Sequence, residues 1–402
     1  MSRFNFTPTQ ESIISQAVDW YNKSSEQVFQ ITGNPGTGKS VVLNEIIRRL
    51  GLSMVEVAPM AYTGAASVVM RMKGLITAKT IHSWLYEVKQ EPILTSNGKP
   101  RIDPYFNTPM MKMTFVPRDL KKHGIKLLVI DEGGSVPLSM RNHILGTGIK
   151  ILVAGDLDQL PPVADNPAFL YDGKVHVLTD IMRQASNSPI IYLSQRAKLG
   201  LPIHLGNYGN VLVISEDEVT DLMISQSPVL LCGKNATRDR LINHIRNDIL
   251  HKKSPLPEQG EKLICRRNNW LIEEGGINLT NGLTGTVVNA PDVREFDGKC
   301  FYIDFVPDIA RDIQFGNIPC NYKYLEADRL HREEMKKMKF IQGNFFEFGY
   351  AQTVHLAQGS QWTHGMYFEE YMNPTINNRI NYTAITRFSD MLIYVKPKRK
   401  YH

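Results

Sequence analysis

Gly33-Asn34-Pro35-Gly36-Thr37-Gly38-Lys39-Ser40 places four residues between a glycine and a Gly-Lys-Ser triplet. Each residue type there has a chemical reason. Glycines let the backbone curl so that several N–H groups point inward at phosphate oxygens, and a helix starting after the loop adds the positive end of its dipole. Lys39 would reach the β/γ-phosphates and the Ser40 hydroxyl would hold Mg²⁺. Such a loop needs an acidic partner on a neighbouring strand. Leu127-Leu128-Val129-Ile130-Asp131-Glu132 supplies it, with four apolar residues as the strand and two carboxylates at its C-terminal end, where ligands collect in such sheets. Asp131 would hold Mg²⁺ through water, and Glu132 would polarise the attacking water as general base or orienter.

The elements that must position these groups follow from the hydrophobic pattern. Thr9–Asn22 reads as a helix after Pro8, with Ile13, Ile14, Ala17, Val18 and Tyr21 on one face. Val28–Thr32, Leu52–Ala58, Lys126–Ile130 and Ile149–Ala154 are short apolar runs, and Val41–Leu50 is helical. Continuous apolar strands alternating with helices predict an α/β fold with a buried parallel sheet. Tyr86–Pro117 interrupts the pattern. Its Asn97-Gly98 pair predicts a hairpin with a two-residue turn, both central positions at positive φ. Val229–Cys232 and a helix over Ala236–Ile249 begin a second α/β unit. Pro255–Pro257 marks a linker. Glu261 to Phe348 reads as a small barrel-like β insertion broken by a charged helical piece, Glu326–Lys339, and the α/β pattern returns from Gly349 to Val395. The expected division is 1–85 with 118–175 as the first unit, 86–117 as an inserted hairpin, 176–254 with 349–402 as the second unit, and 255–348 as the β insertion.

With 402 residues, 42% hydrophobic and 21% charged, the chain is not a disordered segment, a coiled-coil rod or a collagen-like repeat. No apolar run approaches the roughly 18–20 residues of a membrane span, and MSRFNFTPTQ lacks a signal peptide's apolar stretch, so a cytoplasmic setting is expected. Cys232, Cys265, Cys300 and Cys320 form no CxxC pair, which argues against a zinc site or disulfide framework. The net charge of +6 permits a polyanionic partner without demanding one, and the densest basic run, Lys396–Lys400, reads as a solvated tail.

Six further stretches carry a resemblance: Ala61–Ala66 (AYTGAA), Thr80–Ser83 (TIHS), Gly155–Val163 (GDLDQLPPV), Leu178–Gln184 (LTDIMRQ), Thr353–Ser360 (TVHLAQGS) and Tyr382–Arg387 (YTAITR). With the phosphate loop and the acidic pair, they resemble, in order and over nearly the whole chain, the motif series of superfamily 1 helicases. The resemblance is to the RecD/Dda branch, which moves 5′ to 3′ on single-stranded DNA, and the size is similar to phage Dda-type enzymes. It implies two RecA-like domains, a DNA helicase hydrolysing ATP with Mg²⁺, and an SH3-like insertion, whose turn Asn281-Gly282-Leu283-Thr284-Gly285 resembles. It also implies roles position by position. Gln10 matches the adenine-reading glutamine. Gln159 would sense the γ-phosphate, and Arg183 and Arg387 would close on it from the second domain, a planar guanidinium suiting charge spread over phosphoryl oxygens. Tyr62, Thr63, Gly64, Thr80, His82, Ser83, Thr353, His355, Gln358 and Gly359 would form the DNA track, mostly by phosphate contacts, with His82 and His355 touching phosphate or stacking on bases. The hairpin at Asn97-Gly98 would be the wedge at a duplex fork. Implied partners are single-stranded and forked DNA and the single-strand-binding, replication or recombination proteins that attend it, with the enzyme a monomer in a bacterial or phage-infected cytoplasm.

The chain departs from the family pattern twice: Tyr62 stands where proline is usual, and Gly133-Gly134-Ser135 follows the acidic pair in place of a hydrophobic residue, serine and methionine. Two rival readings stay open on sequence alone. One is a single-strand translocase that mainly displaces bound proteins; the other is a P-loop ATPase with no nucleic-acid substrate.

Overall fold

The computed structural model describes residues 5–102, 107, 109–162, 165–180, 188–291, 299–337 and 343–398. The first half runs α1 (Pro8–Lys23), β1 (Val28–Gly33), α2 (Lys39–Arg49), β2 (Val57–Ala61), α3 (Gly64–Met72), β3 (Lys79–Thr80), α4 (Ile81–Leu85), β4 (Tyr86–Pro92), β5 (Met111–Pro117), β6 (Leu127–Ile130), β7 (Lys150–Gly155) and β8 (Val175–Leu178). Six of these strands form a parallel sheet in the order β3-β2-β6-β7-β1-β8. Its strands are continuously apolar because both faces are covered. Leu127, Val129, Leu152 and Ala154 point into the core under α1 and α2. Leu128, Ile130, Ile151 and Val153 point into the opposite core, with Ile81, Leu85 and Ile144.

Two boundaries differ from the sequence expectation. The strand expected over Leu52–Ala58 is β2, Val57–Ala61. Leu52 and Met54 do pack on the core, but from a turn in which the Glu56 carboxylate accepts from Ser53 N at 2.9 Å and Glu56 N donates to Ser53 O at 3.0 Å. Apolarity there marks contact with the core, not extension. The division expected at 175/176 passes through β8, which pairs with β1 over Gln30–Gly33 and so belongs to the first sheet.

β4 and β5 pair antiparallel from Tyr86–Pro117 to Pro92–Met111. At the tip Gly98 N donates to Thr95 O at 2.9 Å and Thr95 N to Lys99 O at 2.8 Å. Of the Asn97-Gly98 pair only Gly98 is at positive φ, +74°. This corrects the expected two-residue turn to a longer one in which the glycine follows a right-handed bend.

The second half adds β9 (Gly206–Asn207), β10 (Val211–Ser215) and β11 (Leu230–Cys232). The inserted strands follow: β12 (Lys262–Cys265), β13 (Asn269–Glu274), β14 (Ile277–Leu279), β15 (Thr284–Asn289), β16 (Cys300–Pro307), β17 (Phe315–Asn321) and β18 (Phe346–Phe348). β19 (Ala351–Thr353), β20 (Trp362–Phe368) and β21 (Phe388–Lys396) then return to the second sheet. Its order is β19-β11-β20-β21-β10-β9, parallel except for β9. The helix expected over Ala236–Ile249 is α-helical over Asn235–His244 and widens into a π turn at Ile245–Ile249. The insertion is an antiparallel sheet in the order β17-β16-β15-β12-β18. Asn344 N donates to Pro319 O at 2.8 Å and accepts Asn321 N at 3.0 Å through its carbonyl, which draws the two edges together around Leu263, Val287, Phe305 and Phe315. All four cysteines are free thiols. Among the described residues no helix is long and apolar enough to cross a membrane.

Candidate functional site

The glycine-rich loop lies between the end of β1 and the start of α2. Gly36 and Gly38 have φ of +83° and +81°, which side chains resist. A Cβ on Gly33 would fall 2.6 Å from Thr37 Oγ1 and 3.0 Å from Leu178 Cβ. The loop therefore turns as it does only with glycine, and the first N–H groups of α2 open onto a cleft of about 470 Å³. Lys39 Nζ donates to Gly33 O at 2.5 Å and Asn34 O at 3.2 Å. Lys39, Ser40, Asp131, Glu132, Gln159 and Arg387, distant in sequence, all line this cleft.

Asp131 is buried at the end of β6, and its Oδ1 accepts from Glu132 N at 2.9 Å. Burial, reinforced by the Glu132 carboxylate, raises its pKa against the opposing pull of Lys73 and Lys39. Glu132 itself is left-handed, φ +53°, and its carbonyl accepts from Ser135 Oγ at 2.7 Å. At Gly133 the departure from the family pattern has a packing cause: a Cβ there would lie 2.3 Å from Cγ1 of the buried Val153. At Gly134 a Cβ would meet only ordinary contacts, 3.5 Å from Asp156 O and 3.8 Å from Leu170 Cδ1.

The loop after β7 meets the second sheet through a set of direct bonds. Tyr382 OH donates to Asp156 Oδ2 at 2.6 Å. Leu160 N donates to Thr383 Oγ1 at 3.0 Å, and Gln358 Nε2 to Leu160 O at 2.6 Å. Arg387 Nη2 donates to Gln159 Oε1 at 2.9 Å and Nη1 to Ser360 O at 3.2 Å. Lys198 pairs with Asp158 and its Nζ stands 3.5 Å from Asn34 Oδ1 of the phosphate loop. Sequence reasoning gave no role to Tyr382, Asp156 or Thr383, although they sit inside the quoted motifs. For Lys198, at the end of an ordinary helix, there was no signal. Arg183 lies outside the described residues.

Gln10 does not line the cleft. It is buried in the first turn of α1, where Oε1 accepts Thr7 N at 3.0 Å as half of a capping box and Nε2 donates to Thr37 O at 3.0 Å. Its carboxamide braces the phosphate loop from behind.

The proposed track residues divide into two groups. Tyr62, Thr63, Thr353, His355 and Gln358 line a second cleft of about 940 Å³. Gly64 and Gly359 are close approaches beside it. A Cβ on Gly64 would fall 1.9 Å from Thr280 Oγ1, and one on Gly359, at φ +79°, would fall 2.8 Å from both Thr63 Oγ1 and Ala66 Cβ. Thr80, His82 and Ser83 are absent from the cleft lining. Thr80 Oγ1 caps α4 by accepting Ser83 N at 3.2 Å, and Ser83 Oγ donates to Asn278 Oδ1 at 3.1 Å. His82 stacks on Trp270, ring centroids 5.6 Å apart, and burial lowers its pKa. One aromatic partner of the half-buried His82 ring is thus Trp270 of β13. Burial also lowers the pKa of His355, which keeps that ring neutral near pH 7. Asn97 and Gly98 sit exposed at the hairpin tip, and among the described residues nothing lies within 4 Å of a Cβ on Gly98.

Residues 6–210 match the family model described as AAA domain. The ATP-dependent RecD2 DNA helicase of Deinococcus radiodurans is 24% identical over 430 residues, covering 97% of this chain and 49% of that one. The ATP-dependent DNA helicase Pif1 of a Psychrobacter species is 32% identical over 154 residues, 35% of this chain and 20% of its own length. The chain therefore spans half or less of these curated relatives. Among solved structures, Bacteroides Pif1 bound to ssDNA superposes with a TM-score of 0.55 at 15% identity, covering 98% of this chain and 92% of that one, which places the two parallel sheets in a RecA-like pair. The chain belongs to the AAA domain family, whose model its first half matches.

Proposed function

We propose that this chain is an ATP-driven translocase that moves 5′ to 3′ on single-stranded DNA and unwinds duplex at a fork. One observation carries the reading. Arg387 lines the nucleotide cleft and donates to the carbonyl of Ser360, and Ser360 lines both clefts. A change at the γ-phosphate thus has one residue to cross before it reaches the track.

Lys39 binds the β/γ-phosphates, and the N–H groups around Gly36 and Gly38 receive the others. Ser40 and the buried Asp131 suit a divalent cation: a carboxylate whose pKa is raised by burial and by Glu132 lacks the positive charge a cation brings. When bound, Mg²⁺ would neutralise charge between the phosphates. Glu132 holds the attacking water, and Arg387 stabilises charge on the transferred phosphoryl group from across the cleft. The cross-cleft bonds of Gln159, Leu160 and Asp156 hold the sheets against one another, a γ-phosphate between Lys39 and Arg387 would add to that closure, and its hydrolysis would remove the addition. The neutral His355 ring suits stacking or a hydrogen bond to phosphate better than an ion pair.

The test is ATP turnover with and without oligo(dT), then unwinding of matched duplexes carrying a 5′ or a 3′ tail. Oligo(dT) stimulation and preference for the 5′ tail are expected. Turnover indifferent to oligo(dT) at low salt would leave a P-loop ATPase without a nucleic-acid substrate, and a 3′ preference would reverse the polarity. Deleting residues 91–101 at the hairpin should cost unwinding and spare translocation.

A further inference from the structure

The larger cleft has a wall that no motif announced. Lys234 follows β11 and Arg238 lies on the next helix. Arg266 follows β12. Arg329, Arg332 and Lys336 recur at helical spacing along one face of the helix Arg329–Lys337. All six line the cleft, against three carboxylates, Asp165, Glu333 and Glu347. The lining therefore carries an excess of positive charge, and one of its carboxylates, buried, is shared by three of the guanidinium groups. Glu347 takes Arg266 Nε at 3.1 Å, Arg238 Nη1 at 3.4 Å and Arg332 Nη1 at 3.8 Å. Burial alone would raise its pKa, but the three guanidinium groups outweigh that and hold it at about 2. Arg266 Nη1 is buried and has no hydrogen-bond partner among the described residues. Arg329 and Lys234 are exposed on this wall.

We propose that this wall grips the backbone phosphates of the single strand whose other side lies on Thr63, Thr353 and His355, with Arg329, Lys336 and Lys234 as the contacts. The proposal rests on the nucleic-acid reading above and adds the insertion to the binding surface. Thr63 follows β2 of the first sheet and caps α3, whereas Lys234 follows β11 of the second sheet and Arg329 and Lys336 belong to the insertion within it. The strand is then held from both sides of the cleft that nucleotide closes. Phosphate contacts carry no sequence information, so the grip tolerates any sequence.

The experiment measures oligo(dT) affinity across a salt series. The parent's log affinity should fall with log salt, at a slope of about 0.7 per phosphate neutralised on a single strand. Arg329→Gln with Lys336→Gln should reduce that slope by about 1.4 and weaken binding on the order of tenfold per charge at 50 mM salt. Glu333 pairs with Lys336 at 2.8 Å. Glu333→Gln should release that lysine and tighten binding, a change of opposite sign that misfolding does not mimic. Lys337, exposed on the same helix but off the cleft, is the charge-matched control, and Lys337→Gln should leave the slope as it is. A double variant with the parent's slope, or a Lys337 variant that loses as much per charge, overturns the proposal while the nucleic-acid reading stands. A parent that fails to bind oligo(dT) at low salt overturns both.

Discussion

Arg387 Nη2 reaches across the cleft to Oε1 of Gln159 at 2.9 Å, and both side chains are buried. The partner is a neutral carboxamide, and the other acceptors of the guanidinium are the carbonyls of Thr383 and Ser360. Neutral acceptors fix the position of a cation without cancelling its charge. The charge is thereby kept for the cleft, where Lys39 and Ser40 also face.

Arg387→Ala should bind ATP within a few-fold of the parent and turn it over at least ~10³-fold more slowly, the scale set by cross-site arginines in phosphoryl transfer. Gln159→Glu should reproduce much of that loss by giving the guanidinium an ionic partner. Affinity and single-turnover rate, measured separately, decide it. A loss confined to affinity would make Arg387 a ground-state binder.

Lys39→Ala should abolish hydrolysis with the fold intact, because the loop then has no cation at the β/γ-phosphates. Glu132→Gln keeps the shape and loses the basicity, so nucleotide affinity should persist while turnover falls by ~10²–10⁴. Normal turnover in the glutamine variant would mean that water is activated elsewhere.

The groups at one phosphate cleft were legible because the chemistry demands contiguous residue types: a glycine loop ending in Lys39-Ser40, and an apolar strand ending in Asp131-Glu132. The pairings that join the sheets were not. Tyr382 and Asp156 are 226 residues apart, and nothing in either motif string says which tyrosine meets which carboxylate. The two track histidines read alike in sequence, yet His355 lines a cleft and His82 lies against Trp270, a separation set by where β13 and β14 fold back. The error at β2 has a local cause, the Ser53–Glu56 turn, which lets Leu52 and Met54 be apolar without being extended. The cationic wall is not legible in the sequence because its residues come from three separate segments, and a modest net charge of +6 averages it away.

Acid should weaken the junction of insertion and second sheet. The Glu347 carboxyl is held at about 2, below its ordinary 4.5, so its contribution is complete above about pH 4.5 and is lost as pH falls towards 2. The shift corresponds to on the order of 3 kcal/mol. Glu347→Gln should be less stable than the parent at pH 6, because three guanidinium groups lose their counter-charge, and should lose less between pH 5 and pH 3. Denaturant unfolding of both proteins at the three pH values measures this. Parallel curves would show that Glu347 is not the titrating group.

Gly64 at the start of α3 packs directly against Thr280 of the insertion. A methyl on Gly64 would sit 1.9 Å from Thr280 Oγ1, 3.0 Å from its Cβ and 3.4 Å from its Cγ2. Thr280 is buried and its hydroxyl has no hydrogen-bond partner among the described residues, so removing that hydroxyl orphans none of them. Gly64 has ordinary helical geometry at the start of α3, so the added methyl meets a steric obstacle and no backbone strain. Gly64→Ala should therefore destabilise the protein by about 1–3 kcal/mol, the usual range for overpacking. It should also displace Asn281 and Gly282, which follow Thr280 and line the larger cleft, and so weaken oligo(dT) binding. Thr280→Ala removes the two outer atoms of the clash and leaves only the 3.0 Å contact, which small shifts absorb. Combined with Gly64→Ala, it should restore most of the stability and the binding. The double-mutant cycle reads the coupling directly. Additive effects of the two substitutions would show that the insertion does not bear on the track at this point.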